Sequence, residues 1–381
     1  MTVNLDEAPA IARRRVWDLP VRVVHVMLIT CVAGAWLTRE AQLIDLHAIF
    51  GYCALGLVAF RIAWGFLGSL HARFASFAYS PRETVAYLSS ALRGAPQHFT
   101  GHNPAGSWSV FGLLALILAA TASGVLAIGA MYGDGPLPLA LSHEAAALWL
   151  ASHEVAAWAV LVLAALHVGG VAWGSRVHRE NLVASMVTGR KAVHDASTSD
   201  APARTPVAVV LVIAAASFAA TYLAVLAPRD VERRASASAA AKAAQQRAPW
   251  TKDCGECHLA YSPALLPYRS WQRTLDEQDR HFGEDLGLSA AAVERLLAFA
   301  RGVQAPSWHA WKLAQSVPPT DIPLEISATP HFRAAHADLP ESAFKPPVSA
   351  GKHECEACHR DAASGIFHPR MIQIPKGRIG S

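Results

Sequence analysis

The sequence is poor in charged residues, which make up only 16% of its 381 positions, whereas apolar residues make up 52%. The formal net charge is only +4 and the mean hydropathy is positive. This balance is unlike that of a soluble globular protein and is typical of a membrane protein. It also argues against nucleic-acid binding, because the basic residues lie at the ends of apolar runs and form no patch with interleaved aromatic residues.

Cysteine and methionine are also scarce. Two of the six cysteines, Cys31 and Cys53, lie inside apolar segments and are interpreted as buried, inert thiols. The other four belong to two copies of one signature, Cys254-Gly-Glu-Cys257-His258 and Cys355-Glu-Ala-Cys358-His359. Met371 is the only methionine beyond residue 250, so at most one site in that region can use a His/Met ligand pair.

The repeated C-x-x-C-H signature is the attachment pattern of c-type haem. Its two thiols add to the vinyl groups of the porphyrin, and the adjacent histidine reaches the iron as the proximal ligand. Here those ligands are His258 and His359. The alternatives are a zinc site or disulfides, but neither explains why a histidine directly follows the second cysteine of both copies. The sequence therefore predicts two covalent haem c groups.

Five apolar stretches are long enough to span a bilayer, because about 20 helical residues cross the hydrocarbon. They are approximately Leu19–Leu37, His47–Phe66, Trp108–Ala130, Ala147–Trp173 and Pro206–Leu226. The first is not interpreted as a cleavable signal, because its apolar run is long and lacks a small-residue cleavage site.

Basic residues near the ends of these stretches predict the orientation. They flank one side of the predicted membrane: Arg13, Arg14, Arg15, Arg73, Arg82, Arg93, Arg176, Arg179, Arg190, Lys191 and Arg204. That side is predicted to be cytoplasmic, and five spans then place the C-terminal part outside, in the periplasm. Attachment of c-type haem takes place on that outer side of the bacterial inner membrane, so the predicted topology agrees with the two signatures.

Four histidines fall inside the predicted spans, where ionisable residues are costly and commonly functional. His153 and His167 are fourteen residues apart in one span, so they share a helix face and differ in depth by about 21 Å. Their depths match those of His47 and His25. Imidazole is a good iron ligand, so we expect two haem b sites, His47 with His153 and His25 with His167. The alternative is that each histidine hydrogen-bonds to a neighbouring helix.

Other polar residues near the spans leave alternatives open. Arg61 either extends its charge towards the interface or pairs with a haem propionate. His98 and His102 lie in a solvated loop or line a quinone pocket, with the loop favoured. His143 is expected at the surface of the outer loop. Three glycines let a porphyrin approach a helix or tighten helix packing, namely Gly51, Gly112 and Gly124.

Residues 16–193 resemble the bacterial cytochrome b561 family, which includes the cytochrome b subunit of nickel–iron hydrogenases. The matching segments are Val16-Trp17-Asp18-Leu19-Pro20 with Arg22 and His25, His47-Ala-Ile-Phe-Gly51-Tyr52, Phe60-Arg61-Ile-Ala-Trp64-Gly65, Gly101-His102-Asn103-Pro104, His153-Glu154, Leu166-His167, His178-Arg179-Glu180-Asn181-Leu182 and Thr188-Gly189-Arg190-Lys191. The resemblance implies a four-helix bundle with two haem b groups, whose axial histidines fall on His25, His47, His153 and His167.

Residues 252–375 resemble the bacterial dihaem cytochrome c domain. The matching segments are Glu256-Cys257-His258-Leu259-Ala260-Tyr261, Pro267 with Ser270-Trp271, His281-Phe282-Gly283-Glu284, Thr329-Pro330 with His336, and Cys358-His359-Arg360-Asp361-Ala362. The resemblance implies that His281 and His336 are distal ligands of the two c haems. His331 departs from the pattern, because an aromatic residue is expected there. It is an alternative distal ligand, together with His309, His353 and His368.

The sequence thus predicts an all-α protein of three parts. Residues 1–195 form a cytochrome b561-like membrane domain, residues 196–249 a fifth span with an Ala-rich tether, and residues 250–381 a small, helical and irregular dihaem cytochrome c domain in the periplasm. Four haems favour an electron carrier between quinone, or a membrane dehydrogenase, and a periplasmic partner such as a soluble cytochrome c. The alternatives are an enzyme that oxidises superoxide or another small molecule and reduces quinone, and the membrane anchor of a hydrogenase-like complex.

Overall fold

The computed structural model describes residues 12–40, 43–94, 97–132, 142–193, 248–256 and 258–375. The backbone separates into two compact units. The first consists of Met1–Ala127 with Leu148–Ala227, and the second of Ile128–Ala147 with Pro228–Ser381. The predicted fifth span and its tether, as well as Cys257, lie outside the described residues.

Long helices dominate the N-terminal half of the chain. The elements in chain order are β1 (Ala12–Arg15), α1 (Leu19–Leu37), α2 (Ile44–Leu67), α3 (Pro81–Leu92), α4 (Pro104–Tyr132), α5 (His143–Val177), α6 (Leu182–Thr188) and β2 (Arg190–Val193). Within the described residues, α1, α2, α4 and α5 are long and apolar enough to cross a membrane. The helix α1 has the predicted bounds, whereas α5 extends beyond the predicted Ala147–Trp173 at both ends.

Asp18 fixes the start of α1 and joins it to the end of α2. Its side chain accepts hydrogen bonds from the backbone N–H of Val21 at 2.9 Å, from Trp64 Nε1 at 2.9 Å and from the hydroxyl of Ser69 at 2.6 Å. Pro20 follows in the first turn, where its missing N–H costs nothing. The carboxylate is buried, and it therefore serves both as a helix cap and as a link between two helices.

A two-stranded antiparallel sheet closes this end of the first unit. In it, β1 pairs with β2 from Ala12 opposite Val193 to Arg15 opposite Arg190. The carbonyl of Gly189 accepts hydrogen bonds from the backbone N–H groups of Val16 and Trp17. Gly189 has φ 77°, and a Cβ there would lie 2.7 Å from the carbonyl oxygen of Trp17. Only glycine therefore suits this turn between α6 and β2.

The core of the first unit lies between α1, α2, α4 and α5. It contains Val24, Leu57, Val58, Ile117 and Val160, all nearly or fully buried. Many large apolar side chains on the same helices face outwards instead, among them Val26, Ile29, Trp158, Val162 and Leu166. An apolar outer surface of this extent is expected of helices that contact lipid.

The second unit contains short helices separated by turns. Its helices in the C-terminal part are α7 (Ala248–Cys254), α8 (Tyr268–Asp276), α9 (Ala290–Gly302), α10 (Trp308–Gln315) and α11 (Pro330–Ala335). One small core surrounds Trp250 and Leu296, and another surrounds Leu265 and Ala310. Residues 317–347 contain single helical turns and the short helix α11. This helix forms because the Thr329 hydroxyl caps it and Pro330 begins it.

Candidate functional site

His47 and His153 face each other between α2 and α5. Their ring centres are 5.8 Å apart. The Nδ1 atom of His47 donates to the carbonyl of Ala35 at 2.8 Å, and that of His153 donates to the carbonyl of Ala120 at 2.7 Å. Because a carbonyl can only accept, both protons are on Nδ1 and both Nε2 atoms carry a free lone pair. This arrangement is typical of metal-ligating histidines.

His25 and His167 form the second pair, on α1 and α5. The two side chains are close enough to interact electrostatically. The Nδ1 atom of His167 is 3.1 Å from the hydroxyl oxygen of Ser109 on α4. The structure therefore brings together the four histidines in the two pairs that their depths predict.

The three glycines of the bundle have different surroundings. A Cβ at Gly112 would lie 2.8 Å from Leu163, so this glycine allows close helix packing. A Cβ at Gly124 would lie 2.9 Å from Nδ1 of His153, so this glycine makes room for the ligand ring. Gly51, one turn after His47, faces space with no atom within 4 Å of a built Cβ. That space is compatible with a flat macrocycle against α2.

Arg61 on α2 is buried, with only 6% of its surface exposed. Its guanidinium lies over the ring of Phe74 at 5.1 Å, and its Nη1 atom is sealed from solvent without a hydrogen-bond partner. His102 is also enclosed rather than solvated, since its ring lies 4.7 Å from that of Trp17 and 4.4 Å from that of Phe77. The favoured interpretation of His102 as a residue of a solvated loop is therefore wrong.

His98 contacts another histidine ring, and His143 contacts a backbone carbonyl. The ring of His98 packs edge-on against that of His178, with centres 4.6 Å apart. His143 is half-buried, and its Nε2 atom donates to the carbonyl of Ala305 at 3.3 Å inside the second unit. His143, which was expected at the surface, is therefore partly enclosed within the second unit.

His258 and His281 form a facing pair in the second unit. Their ring centres are 6.2 Å apart with an interplanar angle of 28°. The Nδ1 atom of His258 donates to the carbonyl of Leu259 at 2.8 Å, which leaves Nε2 free for a metal. His281 lies in a tight turn whose next residues, Phe282 and Gly283, have φ 51° and 97°. Gly283 eases the turn because glycine tolerates a positive φ.

His336 and His359 form the other pair of the second unit, with ring centres 6.1 Å apart and an interplanar angle of 68°. The Nδ1 atom of His336 donates to the carbonyl of Phe332 at 2.8 Å. Burial, followed by the nearby His336, lowers the pKa of His359 to about 4. Both rings are therefore neutral at physiological pH, which is the form that binds metals.

A cavity of 410 Å³ lies beside the pair formed by His336 and His359. Phe332, Phe344 and the imidazole of His336 line part of it. Its charged lining has both signs, namely Arg333, Lys352, Glu325 and Glu341, and Lys352 pairs with Glu341 at 3.0 Å. The thiols of Cys254 and Cys355 are partly buried, and burial raises the pKa of each to about 11. These thiols are therefore protonated at neutral pH.

The spacing of the histidine rings matches a shared metal ion. A metal–imidazole bond of about 2 Å on each side, plus the distance from nitrogen to ring centre, separates two ring centres by roughly 6 Å. The three measured separations, 5.8, 6.2 and 6.1 Å, agree with this value. Together with the Nε2 atoms left free on His47, His153 and His258, these separations fit haem iron with two axial histidines.

The other histidines of the second unit have different contacts. His309 stacks on His331, with ring centres 5.8 Å apart, and its Nε2 atom is 3.0 Å from the hydroxyl of Tyr132. The Nδ1 atom of His368 accepts a hydrogen bond from the backbone N–H of Arg370 at 3.1 Å. None of these three faces His258 or His359 as His281 and His336 do.

Tyr261, which had no predicted role, connects the two signatures. The ring of Tyr261 stacks on that of His258, with centres 5.7 Å apart, and its hydroxyl donates to the carbonyl of His353 near the second signature. Burial raises the pKa of this hydroxyl, so it stays protonated and donates. Its position three residues after His258 gave no signal of this contact.

Comparisons with known proteins identify both parts of the chain. Residues 16–189 match the family model of prokaryotic cytochrome b561, and residues 250–367 match that of dihaem cytochrome c. No curated protein matches the chain.

Among solved structures, the chain is similar to a diheme cytochrome c from Rhodobacter sphaeroides, with 31% identity over 31% of this chain and 94% of that one, and a TM-score of 0.27. It is also similar to a diheme cytochrome type c from Shewanella baltica OS155, with 26% identity over 35% of this chain and 98% of that one, and a TM-score of 0.28.

The two matches and the paired histidines agree, because the first family takes haem b and the second takes haem c. The four long apolar helices lie within the first match. The chain thus belongs to the prokaryotic cytochrome b561 family in residues 16–189 and to the dihaem cytochrome c family in residues 250–367, and it is an integral membrane electron-transfer cytochrome.

Proposed function

We propose that this cytochrome binds four haems and carries electrons between the quinone pool, or a membrane dehydrogenase, and a periplasmic partner such as a soluble cytochrome c. The observation that carries the proposal is the pairing of histidine rings at a separation suited to iron, once in the bundle and twice in the second unit. In the remaining pair, His25 lies on α1, and His167 shares a face of α5 with His153 because the two are fourteen residues apart.

The axial ligands follow from these pairs. In the bundle, His25 with His167 and His47 with His153 hold two b haems. In the second unit, His258 and His359 are the proximal ligands, and His281 and His336 are the distal ligands. The cysteines of the two signatures attach the c haems, namely Cys254, Cys257, Cys355 and Cys358. When bound, haem iron supplies one-electron oxidation and reduction, for which no protein side chain here is suited.

The chain's own residues adapt each site to that chemistry. Carbonyl groups orient the rings of His47, His153 and His336 by accepting from Nδ1, which raises the basicity of the ligating nitrogen. Apolar neighbours such as Val58 and Leu57 exclude water from the bundle interior. Burial and axial ligation are the factors by which a protein sets haem potential.

The orientation of the chain is part of the proposal. Arg13, Arg14 and Arg15 and the basic loops mark the cytoplasmic side, and the second unit then lies in the periplasm of a bacterial inner membrane. A reporter that is active only outside the membrane should be active when fused after Leu226 and silent when fused near Arg190. The reverse pattern would refute this orientation.

Anaerobic reduction of the full chain in membranes tests the function. A quinol analogue should reduce both b and c haems, and a soluble cytochrome c should then reoxidise them. If quinol leaves all haems oxidised while a hydrogenase and its substrate reduce them, the chain is instead the membrane subunit of such a complex. If the haems are reduced by superoxide and reoxidised by quinone, the chain is a superoxide-oxidising quinone reductase.

A further inference from the structure

Three buried nitrogen atoms without hydrogen-bond partners lie near one end of the bundle. They are Nη1 of Arg61, Nε2 of His71 and Nδ1 of His102. His71 packs against the turn that carries His102, because a Cβ at Gly101 would lie 3.4 Å from Nδ1 of His71. We call these three residues the basic cluster. All belong to the first unit.

The elements around the basic cluster hold it in place. The guanidinium of Arg61 lies over the ring of Phe74, and the ring of His102 packs between those of Trp17 and Phe77. The ring of Phe77 in turn stacks on that of Phe111 in α4, with centres 5.5 Å apart. The side chains of Arg61 and His102 therefore pack on aromatic rings, and their unpartnered nitrogens are buried.

The carboxylate of Asp18, which interacts with Arg61, already accepts hydrogen bonds from other groups. Asp18 interacts with Arg61 through space, but its two oxygens accept from Val21, Trp64 and Ser69. The second acidic residue at this end, Glu180, lies 3.7 Å from Lys191. The charge of Arg61 is thus left without a direct anionic partner among the described residues.

The ring of His102 is neutral at physiological pH. Burial, then Arg61, His167, Lys191 and His71, lowers the pKa of His102 to about 3. Leaving a buried donor unsatisfied costs about 1–3 kcal/mol, and more for a charged group. A neutral imidazole has one N–H, so His71 and His102 can each donate one hydrogen bond to a bound acceptor. The buried guanidinium of Arg61 calls for an anionic acceptor.

The position of the basic cluster identifies that anion. His102 interacts with His167, the proposed axial ligand on α5, and Arg61 follows His47 by fourteen residues on α2, the same separation as between His153 and His167. The cluster is therefore at the depth of the His25–His167 pair. A haem held there carries two carboxylates on short chains, which can reach donors next to the ring edge.

We propose that Arg61, His71 and His102 bind the propionate carboxylates of the haem held by His25 and His167. This inference rests on the proposed function, because it requires a haem at that pair. A quinone head group is the competing ligand, but quinone is neutral and would leave the guanidinium of Arg61 without a counter-charge.

Equilibrium redox titration of the purified full chain with mediators tests the propionate site, since it requires no electron route through the protein. Arg61→Gln and His102→Phe should lower the midpoint potential of one b haem, because the reduced haem carries one more negative charge and loses more from removal of a cation or donor. Haem b content in Arg61→Gln should fall towards about half of the wild-type value. Arg61→Lys should recover much of both.

His98→Gln is the matched control, because His98 packs on His178 and not on the basic cluster. It should leave both potentials and haem content unchanged. His102→Phe preserves the ring packing between Trp17 and Phe77. If Arg61→Gln loses both b haems, the redox titration of His102→Phe tests the propionate site instead.

The propionate site would be overturned if both Arg61→Gln and His102→Phe had wild-type potentials and haem b content. It would also be overturned if the variants oxidised quinol more slowly without any change of potential, because that result would indicate a quinone site. Absence of extractable haem from the wild-type chain would instead refute the proposed function itself. The two failures are therefore distinguishable.

Discussion

The ring planes of His258 and His281 are inclined by only 28°, whereas those of His336 and His359 are inclined by 68°. The relative orientation of two axial imidazoles controls the electronic asymmetry of ferric iron. We therefore expect two different low-spin EPR signals from the c haems, a rhombic one from the first pair and a strongly axial one from the second.

Two variants assign these signals. His281→Ala should abolish the rhombic signal alone, and His336→Ala the axial signal alone. His353→Ala is the control, because its exposed side chain belongs to neither pair. If His331→Ala or His309→Ala abolished a c-haem signal instead, the distal assignment would be wrong.

Haem stoichiometry tests the number of sites. Two signatures and two buried histidine pairs predict two covalent and two extractable haems per chain. Acid–acetone extraction followed by pyridine haemochrome spectra measures both pools. A chain without extractable haem b would contradict the assignment of the bundle histidines.

Asp18 is expected to stabilise the bundle, because it satisfies three donors from α1, α2 and the following turn. Asp18→Ala leaves the Trp64 and Ser69 donors buried without an acceptor. We expect a loss of about 2–4 kcal/mol in the free energy of unfolding, and a smaller loss for Asp18→Asn, which retains one acceptor oxygen. Thermal unfolding in detergent measures the effect.

Glu40→Ala is the matched control, since Glu40 is an exposed carboxylate whose side chain makes only a surface ion pair with Arg39 at 3.9 Å. Its replacement should change the stability by less than about 0.5 kcal/mol. Equal effects of the two alanine variants would show that Asp18 does not join the helices as its contacts indicate.

His309 is expected to make the second unit sensitive to acid. Burial, followed by His331, His368 and His359, lowers the pKa of His309 to about 4. In the unfolded chain the imidazole titrates near 6.5. The unfolded state therefore binds more protons between pH 6.5 and 4, and stability contributed by neutral His309 is lost as the pH falls through that window.

The full loss amounts to about 3 kcal/mol from the difference between the two pKa values. His309→Gln removes this titration, so its stability should depend less on pH than that of the wild-type chain between pH 7 and pH 4.5. Thermal unfolding followed at the c-haem absorption band provides the comparison. Parallel pH profiles would exclude His309 as a source of acid sensitivity.

The lengths of the apolar runs predicted the four membrane helices of the described residues, because length and apolarity define such helices. Helix α1 has the predicted bounds, and α4 and α5 extend beyond the predicted ranges at both ends. The depth of His153 and His167 on one helix also predicted the pairing with His47 and His25, since helix geometry fixes both face and rise.

The basic cluster could not be predicted in the same way. His71 and His102 lie in turns far apart in sequence, and tertiary packing alone brings them towards Arg61. The distal ligands His281 and His336 likewise lie in a tight turn and at the end of a short helix, where no periodicity marks them. Their selection among eight histidines beyond residue 250 came from resemblance, and their contacts support it.

Stopped-flow reduction of the His153→Ala variant by quinol tests the account most directly. The variant lacks a ligand of the haem at His47, while His25 and His167 still hold the other b haem. If electrons enter at the quinol and leave through the second unit, the remaining b haem should be reduced at the wild-type rate. The c haems should be present and be reduced at least about tenfold more slowly. Unchanged c-haem reduction in a folded variant would show that electrons bypass the bundle, and it would contradict the proposed route.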